Sequence, residues 1–375
     1  MKIEKAGLYI HFPFCLSKCG YCSFYSIKSI SLISDYVTAL KNEISFYRNK
    51  FSSFDTIYFG GGTPSLLTPE QLIEILISIY KYFHIDAGAE ITLEANPGDI
   101  SLKYLMKLRN IGVNRLNIGV QSFNDKVLNF LGRRHSVKEA IASIEDARQT
   151  GFDNLGIDLI YGVHGMSFKS WIDNLQQAVF FRPEHISCYQ LSLGEKTPLY
   201  SKYFLNKWHL PSENTERKLF LSTSDELKHA GYIHYEVSNF AREDKFRSRH
   251  NQKYWRHIPY LGLGPSAHSF LNNKRWWNKA AVKTYLQDIA VGKMPVENSE
   301  ILSSEQLQME SLFLGMRTKD GINIKNYKKR FGVDLLSVKG PIIHALIKEK
   351  LVEFSNDFLR PTLKGMAIAD SLALI

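Results

Sequence analysis

Short apolar runs alternate with longer segments of helical periodicity over residues 8–230. The short runs predict β-strands at residues 8–12, 56–59, 91–95, 115–120, 155–160 and 185–191. The longer segments predict helices at residues 34–48, 69–82, 102–111, 137–150, 168–181 and 214–230. In residues 69–82 the apolar positions recur at the spacing of one buried helix face. Strands that alternate with helices indicate βαβ units and therefore a parallel sheet.

The number of βα units limits the architecture. Six units are too few to close an eight-stranded barrel, so the pattern predicts a partial barrel or an open sheet. The alternation ends near residue 240. Beyond it, the pattern predicts three helices at residues 304–316, 324–331 and 335–349, a hairpin at residues 351–360 and a last helix from Leu363. Three helices and a hairpin resemble a small winged-helix module. The predicted regions are a barrel (1–240), an irregular, basic and aromatic connection (241–300) and a small, mostly helical C-terminal domain (301–375).

Polar and glycine-rich segments follow the predicted strands, at the point where each strand ends. The cysteine-rich segment 15–22 follows the first strand, and the Gly-Gly-Gly-Thr-Pro segment 60–64 follows the second. Similar signals close the third, fourth and fifth strands, at residues 94–97, 119–122 and 158–162. Ligands bind at the carboxyl ends of strands in parallel α/β sheets. We therefore expect one binding site along this edge.

Composition places the chain in a reducing compartment and points to a metal site. Only four cysteines occur in 375 residues, too few for a disulfide-stapled secreted fold, and three of them form a C-x3-C-x2-C segment. Such clustering is typical of metal binding. No apolar run reaches the length of a membrane span, and the N-terminus lacks the pattern of a secretory signal. A cytoplasmic location is predicted.

The three clustered thiols suit an iron–sulfur cluster with one open iron. Thiolates are soft ligands, and iron–sulfur clusters and zinc are their usual metals. Three thiolates on a four-iron cluster leave one iron for a ligand with amino and carboxylate groups. Structural zinc needs four protein ligands. Cys188 and His11 are candidates for a fourth, so a zinc site stays an alternative at this point.

The cysteine segment resembles that of the radical S-adenosylmethionine superfamily, because it follows the first strand and carries Tyr21 before the third cysteine. The Gly-Gly-Gly-Thr-Pro segment is similar to that superfamily's methionine-binding turn. The resemblance implies a partial (β/α)6 barrel, with a 4Fe–4S cluster on Cys15, Cys19 and Cys22 and S-adenosylmethionine on the open iron. It also implies a set of contacts to S-adenosylmethionine from the pocket wall, the turn, and the polar residues that meet the ribose and carboxylate. These residues are Tyr9, Tyr21, Gly61, Gly62, Thr63, Glu94, Gln121, Arg133 and Asp158.

The closest resemblance within the superfamily is to the oxygen-independent coproporphyrinogen oxidase-like branch. The porphyrinogen-oxidising members have a longer N-terminal arm and a fourth cysteine two residues after the third. Here the first strand begins near residue 7, and Phe24 occupies the position of the fourth cysteine. These departures put porphyrinogen decarboxylation in doubt.

The segment His250-Asn251-Gln252-Lys253-Tyr254-Trp255 resembles the H-N-x-x-Y-W motif of haem chaperones in this branch. The resemblance implies that His250 is an axial haem ligand, a role in which neutral imidazole is common. From Arg242 to Lys283 ten basic residues stand against two acidic ones, so this stretch carries +8 of the total formal charge of +10. Haem propionates would explain that excess. A packed histidine and an RNA-binding loop are the alternatives.

Three functions compete at this stage. A haem chaperone would bind haem and pass it to acceptor haemoproteins, whereas a radical enzyme would oxidise coproporphyrinogen III without oxygen. A nucleic-acid-modifying radical enzyme rests on basic charge alone, and no nucleic-acid partner is expected. A C-terminal DNA-binding helix is disfavoured, because basic residues on a short helix usually form a solvated face. The sequence leaves a homodimer and peripheral membrane contact open.

Overall fold

The computed structural model describes residues 5–372, and its main feature is a twelve-stranded sheet. The strand order in that sheet is β12-β11-β10-β9-β1-β2-β3-β4-β5-β6-β8-β7, and a second sheet has the order β13-β15-β14. The strands are β1 (Ala6–Phe12), β2 (Phe54–Gly61), β3 (Ile85–Ala95), β4 (Arg115–Gln121), β5 (Leu155–Tyr161), β6 (His185–Gln190), β7 (Ile233–Glu236), β8 (Asn239–Ala241), β9 (Tyr260–Leu263), β10 (His268–Leu271), β11 (Lys274–Asn278), β12 (Val296–Ile301), β13 (Ile322–Asn323), β14 (Val352–Ser355) and β15 (Phe358–Pro361).

Helices follow most of the parallel strands and continue into the C-terminal region. They are α1 (Ile33–Phe46), α2 (Pro69–Tyr82), α3 (Leu102–Asn110), α4 (Asp125–Leu131), α5 (Val137–Gln149), α6 (Phe168–Phe180), α7 (Pro198–Phe204), α8 (Glu213–His229), α9 (Arg249–Trp255), α10 (Val282–Ala290), α11 (Ser304–Gly315), α12 (Ile324–Phe331), α13 (Leu335–Lys348), α14 (Leu363–Met366) and α15 (Ala369–Leu372). No helix within residues 5–372 is long and apolar enough to cross a membrane.

The six strands β1 to β6 run parallel and form a partial (β/α)6 barrel. The barrel is open because β1 pairs with β9 and β2, whereas β6 pairs with β5 and β8. Alternate side chains of each strand face the outer helices, and the others face the inside of the barrel. Leu8, Ile57 and Leu93 belong to the apolar core under the helices. The predicted fold class is confirmed.

Residues 240–300 are not irregular, which corrects the expectation from the sequence. Strand β9 pairs in parallel with β1, with Gly7 opposite Tyr260, and β10 to β12 extend the same sheet in antiparallel pairs. Helix α9 contacts β1 and β2, and α10 packs against α1. This region is therefore joined to the barrel by continuous strand pairing. The division of the chain into three regions stays a prediction, and residues 1–4 and 373–375 of its outer regions lie outside the described part.

The C-terminal region has an apolar core of its own. Leu312 of α11 and Met316, which directly follows that helix, pack with Leu335 and Ile343 of α13 and with Leu359 of β15. Three helices and an antiparallel hairpin surround this core, as the sequence predicted. The region meets the barrel at the turn between β7 and β8, where the Val237 amide donates to the Arg317 carbonyl at 3.0 Å.

Candidate cluster and cofactor site

The cysteine-containing loop, residues 13–27, leaves the end of β1 and is held at both its base and its tip. At the base, the Ile27 amide donates to the Pro13 carbonyl at 2.8 Å, and the Cys15 amide donates to Ile27 at 3.0 Å. At the tip, the Gly20 amide donates to Leu131 at the end of α4. The Leu199 amide of α7 donates back to Gly20 at 2.9 Å. Two helices that the sequence pattern missed therefore fix the loop.

The three predicted cluster ligands are free thiols on this loop, and all are partly exposed. Thr63 Oγ1 donates to Cys15 Sγ at 3.3 Å, and Arg133 Nη1 donates to Cys19 Sγ at 3.4 Å. Such donors stabilise negative charge on sulfur, so the donor set fits thiolate ligands. No group of three or more His, Cys, Asp or Glu side chains among residues 5–372 is arranged to hold a metal ion. Cluster ligation by these cysteines stays a prediction.

The glycine-rich turn after β2 lies directly on the end of β1. The Gly62 amide donates to the Phe12 carbonyl at 2.7 Å, and the Thr63 amide donates to the Phe14 carbonyl at 2.9 Å. A Cβ on Gly62 would lie 2.6 Å from the Phe14 oxygen. Gly61 has φ of +107°, a conformation that favours glycine. The turn therefore needs glycine at both positions to approach the base of the cysteine loop.

Gly62→Ala is expected to destabilise the protein by about 2 kcal/mol, because the added methyl group meets two backbone oxygens that cannot move independently. Chemical denaturation measures the change in the free energy of unfolding. Gly88→Ala is the matched control, since a Cβ there has no neighbour within 4 Å. Equal stability of the two variants would contradict the close approach of the turn to β1.

A cavity of about 400 Å³ opens between the cysteine loop and the carboxyl ends of the strands. It is lined by one cluster cysteine, Cys22, and by every predicted S-adenosylmethionine contact except Tyr9. These lining residues are Tyr21, Gly61, Gly62, Thr63, Glu94, Gln121, Arg133 and Asp158. Residues from four strands and three loops thus meet in one cavity, at the edge of the sheet where the sequence predicted a binding site. The assignment of each residue to S-adenosylmethionine stays a prediction.

Arg133 joins the cavity to the cysteine loop. Its Nη2 donates to Asn96 Oδ1 at 2.6 Å and to the Gly119 carbonyl at 2.9 Å, while its Nη1 reaches Cys19. The guanidinium is therefore fixed between the ends of β3 and β4, with a positive charge beside the thiols. It lines the cavity and suits a carboxylate ligand there.

Two carboxyl groups, Glu94 and Asp158, line the cavity from β3 and β5. Loss of solvation inside the barrel raises the pKa of Glu94 to about 7 and that of Asp158 to about 6. Glu94 Oε1 accepts a hydrogen bond from the Tyr58 hydroxyl at 2.8 Å, and Asp158 Oδ2 accepts one from Asn117 Nδ2 at 2.5 Å. Both carboxyl groups therefore titrate near or just below neutral pH, so they are ionised and act only as acceptors above that range and are protonated in mild acid.

Tyr9 lies inside the barrel, behind the cavity. Its hydroxyl is 3.1 Å from His11 Nδ1, and the other ring nitrogen of His11 is 2.9 Å from the Tyr25 carbonyl in the cysteine loop. His11 is buried, with both nitrogens engaged in these contacts. In this arrangement His11 supports the loop from behind, and it is not free to act as a fourth metal ligand.

His250 lies at the other end of the barrel, near the amino-terminal ends of the strands. It is 1% exposed. Its Nδ1 is 2.8 Å from Thr56 Oγ1, its Nε2 is 2.9 Å from the Tyr254 hydroxyl, and its ring stacks on Tyr58. A Cβ on Gly7 would lie 3.1 Å from the imidazole, so glycine at that position leaves room for it. Burial lowers the pKa of His250 to about 3, so the ring is neutral.

The basic stretch from Arg242 to Lys283 is largely neutralised by carboxylates. Arg249 and Lys253 both pair with Asp55, and Arg275 pairs with Glu310 of α11 at 2.6 Å. The basic residues that form ion pairs include Arg242, Lys245, Arg247, Arg249, Lys253, Arg275 and Lys279. The net charge of +8 counted along this stretch therefore overstates the positive charge that the folded protein presents there.

A second cavity, of about 490 Å³, borders helix α9. Basic and acidic side chains both line it, together with Gln252 and Ile258. The charged ones are Asp55, Asp244, Arg247, Arg249, Lys253, Arg256 and Asp320. The tryptophans of β11 do not join this cavity. Trp276 stacks on Tyr47 in the apolar core, and Trp277 stacks on His268.

The hydrogen-bond partners of three cavity residues were not foreseen. Asn96 fixes Arg133, Asn117 fixes Asp158, and Tyr58 fixes Glu94. Tyr58 on β2 and Asn117 on β4 carry a usable signal, since polar side chains alternate with apolar ones along these strands, and Asn96 directly follows β3. Gln190, the last residue of β6, and Ser192, just beyond it, also line the cavity.

The partial barrel with its cysteine loop is the architecture of a radical S-adenosylmethionine protein. Residues 9–178 match the Radical SAM superfamily model, and residues 302–368 match the HemN C-terminal domain model. The chain belongs to the family of proteins named heme chaperone HemW, within the radical SAM superfamily. Membership of the superfamily implies a 4Fe–4S cluster and S-adenosylmethionine.

Relatives in this family match the chain along nearly all of its length. The heme chaperone HemW of Bacillus subtilis (strain 168) is 32% identical over 97% of both chains. That of Lactococcus lactis subsp. lactis (strain IL1403) is 32% identical over 97% of this chain and 95% of its own. The structure of coproporphyrinogen III oxidase (HemN) from Escherichia coli, a radical SAM enzyme, superposes with a TM-score of 0.85. It covers 99% of this chain and 90% of its own at 23% identity, a likeness that shows the fold.

Proposed function

We propose that this protein is a haem chaperone, which binds haem and passes it to acceptor haemoproteins. The observation that carries the proposal is the match over 97% of both chains to a protein named heme chaperone HemW. The His250 to Trp255 segment supports it, as does Phe24 at the position where the porphyrinogen-oxidising members have a fourth cysteine. Phe24 is exposed and lines the first cavity, so no thiol is available at that point.

The proposed cluster ligands are Cys15, Cys19 and Cys22. A bound 4Fe–4S cluster supplies an open iron for the amino and carboxylate groups of S-adenosylmethionine. Thr63 and Arg133 donate hydrogen bonds to two of the ligand sulfurs, and such contacts outside the ligand shell orient ligands and tune the metal. Backbone hydrogen bonds at the base and the tip of the loop hold the segment that carries the three cysteines.

The first cavity is the proposed site of S-adenosylmethionine. The Gly61–Gly62 turn exposes backbone groups to the amino end of the ligand, and Arg133 offers a positive charge to its carboxylate. Glu94 and Asp158 are proposed to accept hydrogen bonds from the ribose hydroxyls. Tyr21 and Gln121 close the wall of the cavity, and Tyr9 supports it from behind through His11.

Affinity for S-adenosylmethionine is expected to fall about tenfold as the pH drops through 7 and then 6, the approximate pKa values of Glu94 and Asp158. Both values are raised, so protonation neutralises the two acceptors in mild acid. Equilibrium dialysis of labelled S-adenosylmethionine against cluster-loaded protein measures the dependence. In Glu94→Gln the upper step should disappear, and a profile unchanged by that substitution would contradict the assignment.

His250 is the proposed axial ligand of haem. Its low pKa keeps the imidazole neutral at physiological pH, and the neutral ring is the form that binds iron. In the structure both nitrogens are engaged and the ring is buried. Ligation through Nε2 therefore requires the Tyr254 hydroxyl to move aside and the end of α9 to open. The second cavity lies on the same helix, and its arginines and Lys253 are proposed to meet the propionates.

The chaperone proposal carries two further expectations. Acceptor haemoproteins are its proposed partners, and its proposed location is the cytoplasm. The sequence leaves open a homodimer and peripheral contact of the basic stretch with a membrane surface.

Anaerobic titration of the cluster-loaded protein with haem tests the proposed function. A parallel sample receives coproporphyrinogen III, S-adenosylmethionine and a reductant. The proposal predicts saturable haem binding and no consumption of the porphyrinogen. Conversion of the porphyrinogen with release of 5′-deoxyadenosine would identify an oxygen-independent coproporphyrinogen III dehydrogenase instead.

A further inference from the structure

Aromatic rings form a stack inside the barrel, beneath the first cavity. The centroid of the Tyr58 ring lies 5.1 Å from that of His250, with the ring planes 28° apart. Tyr9 lies 6.2 Å from each of these two rings. The Tyr58 hydroxyl then donates to Glu94 Oε1 at 2.8 Å. Direct contacts therefore run from helix α9 to a carboxylate of the cavity wall.

The position of the Tyr58 ring is restricted by its neighbours. On one side lies His250, which is itself fixed by Thr56 and Tyr254. On another side lies Gly60, where a Cβ would be 3.0 Å from the Tyr58 ring and 3.2 Å from the Glu94 carboxyl carbon. A ring packed in this way has few rotamers open to it, so the direction of its hydroxyl is set before any ligand binds.

We propose that Tyr58 is a positioning residue for S-adenosylmethionine, because its hydroxyl fixes the orientation of the Glu94 carboxyl group, a proposed acceptor for the ribose hydroxyls. The inference rests on the proposed S-adenosylmethionine site and adds to it a residue that does not line the cavity. An acceptor that is oriented in advance loses less freedom on binding, so the ligand binds more tightly. Tyr58 acts through Glu94 and makes no contact with the reacting groups.

The charges around Glu94 give the proposal a second readout. Burial raises the pKa of Glu94 and Asp158 on β5 raises it further, while the Tyr58 hydroxyl and the Gly61 amide lower it. The other titratable groups nearby are the phenols of Tyr9, Tyr189 and Tyr254. These phenols stay neutral, because burial raises the pKa of each well above its usual value. Loss of the Tyr58 hydroxyl therefore raises the pKa of Glu94 and moves its titration to higher pH.

Tyr58→Phe tests the proposal. In the cluster-loaded protein we expect affinity for S-adenosylmethionine to fall about tenfold at neutral pH, since a hydrogen bond to a charged group is lost. The upper midpoint of its pH dependence should also rise. Equilibrium dialysis with labelled S-adenosylmethionine measures both without turnover. The matched control is Tyr285→Phe, which removes a 2.7 Å hydrogen bond to another buried carboxylate, Glu43, away from the cavity.

Glu94→Gln completes a double-mutant cycle. If Tyr58 acts through Glu94, adding Tyr58→Phe to Glu94→Gln should weaken binding much less than tenfold. An equal loss in both backgrounds, or no loss in Tyr58→Phe alone, would overturn the inference while leaving the site intact. Absence of binding in the unaltered, cluster-loaded protein would instead overturn the proposed S-adenosylmethionine site.

Discussion

Cys19→Ser is expected to remove the visible absorbance of the cluster and to abolish S-adenosylmethionine binding. A serine oxygen is a hard donor that stays protonated at neutral pH, so one of three soft ligands is lost. Arg133 also loses the sulfur to which it donates. Iron and sulfide content, absorbance and dialysis of labelled S-adenosylmethionine report the change. Haem binding should persist, because His250 lies at the opposite end of the barrel strands.

Cys188→Ala is the control for this experiment. Cys188 is the fourth cysteine of the chain and is 3% exposed on β6, outside the cysteine loop. Its variant should keep the full complement of iron and its affinity for S-adenosylmethionine. A cluster that survives Cys19→Ser but not Cys188→Ala would mean that the ligand set has been assigned incorrectly.

His250→Ala has the second large expected effect, and it concerns haem. We expect haem affinity to fall more than tenfold, equivalent to about 1.4 kcal/mol, with loss of the spectrum of the ligated iron. The free energy of unfolding should also fall by about 2 kcal/mol, because Thr56 and Tyr254 lose their partner. Anaerobic haem titration and chemical denaturation separate the two effects. The cluster should remain.

His185→Ala is the control that shows how much of the effect of His250→Ala comes from the loss of a buried, hydrogen-bonded imidazole alone. His185 is buried on β6, and its Nε2 is 2.7 Å from the Tyr235 hydroxyl, so the loss resembles that at His250. Only the His250 variant should lose the haem spectrum. An unchanged haem spectrum in His250→Ala would make His250 a packed histidine of the barrel, and haem ligation would have to be sought elsewhere. Loss of both cluster and haem in both Cys19→Ser and His250→Ala would contradict two separate sites.

Helices and strands whose ends are marked by nearby residues in the sequence were predicted well. Helix α2 begins and ends where the sequence predicted, because Thr68 and Gln71 form a capping box and Pro69 occupies the first turn. Strand β9 was missed because it is four residues long and its support comes from β1, far away in the sequence. Helices α4 and α7 were missed for a similar reason. Each has seven residues, and tertiary packing stabilises such short helices more than propensity does.

The first cavity was predictable because its residues share one edge of a parallel sheet. Strand order alone brings Gly61, Glu94 and Asp158 together once the strands are placed. The partners of these residues were harder to find. Tyr58 and Asn117 are recognised only when the inner face of each strand is known, since a shift of one residue would place them among the helices.

The surroundings of His250 and of the basic stretch could not be read from the sequence. Gly7 makes room for the imidazole from a distant strand, and Thr56 supplies its hydrogen-bond partner. The count of charges between Arg242 and Lys283 omitted carboxylates that fold back from elsewhere, such as Asp55 and Glu310. The net charge of a sequence segment predicts a charged surface only when residues from elsewhere in the chain do not form ion pairs with it.

Transfer of haem to an acceptor tests the central claim most directly. The protein is loaded with one equivalent of haem under anaerobic conditions and mixed with an apo-haemoprotein, and the acceptor's absorbance is followed in time. The account predicts that haem reaches the acceptor faster from this protein than from a haem–albumin control at equal haem concentration. It also predicts that the His250→Ala variant takes up haem more slowly than the unaltered protein. Haem that stays on the donor, or that moves no faster than from albumin, would contradict a chaperone function.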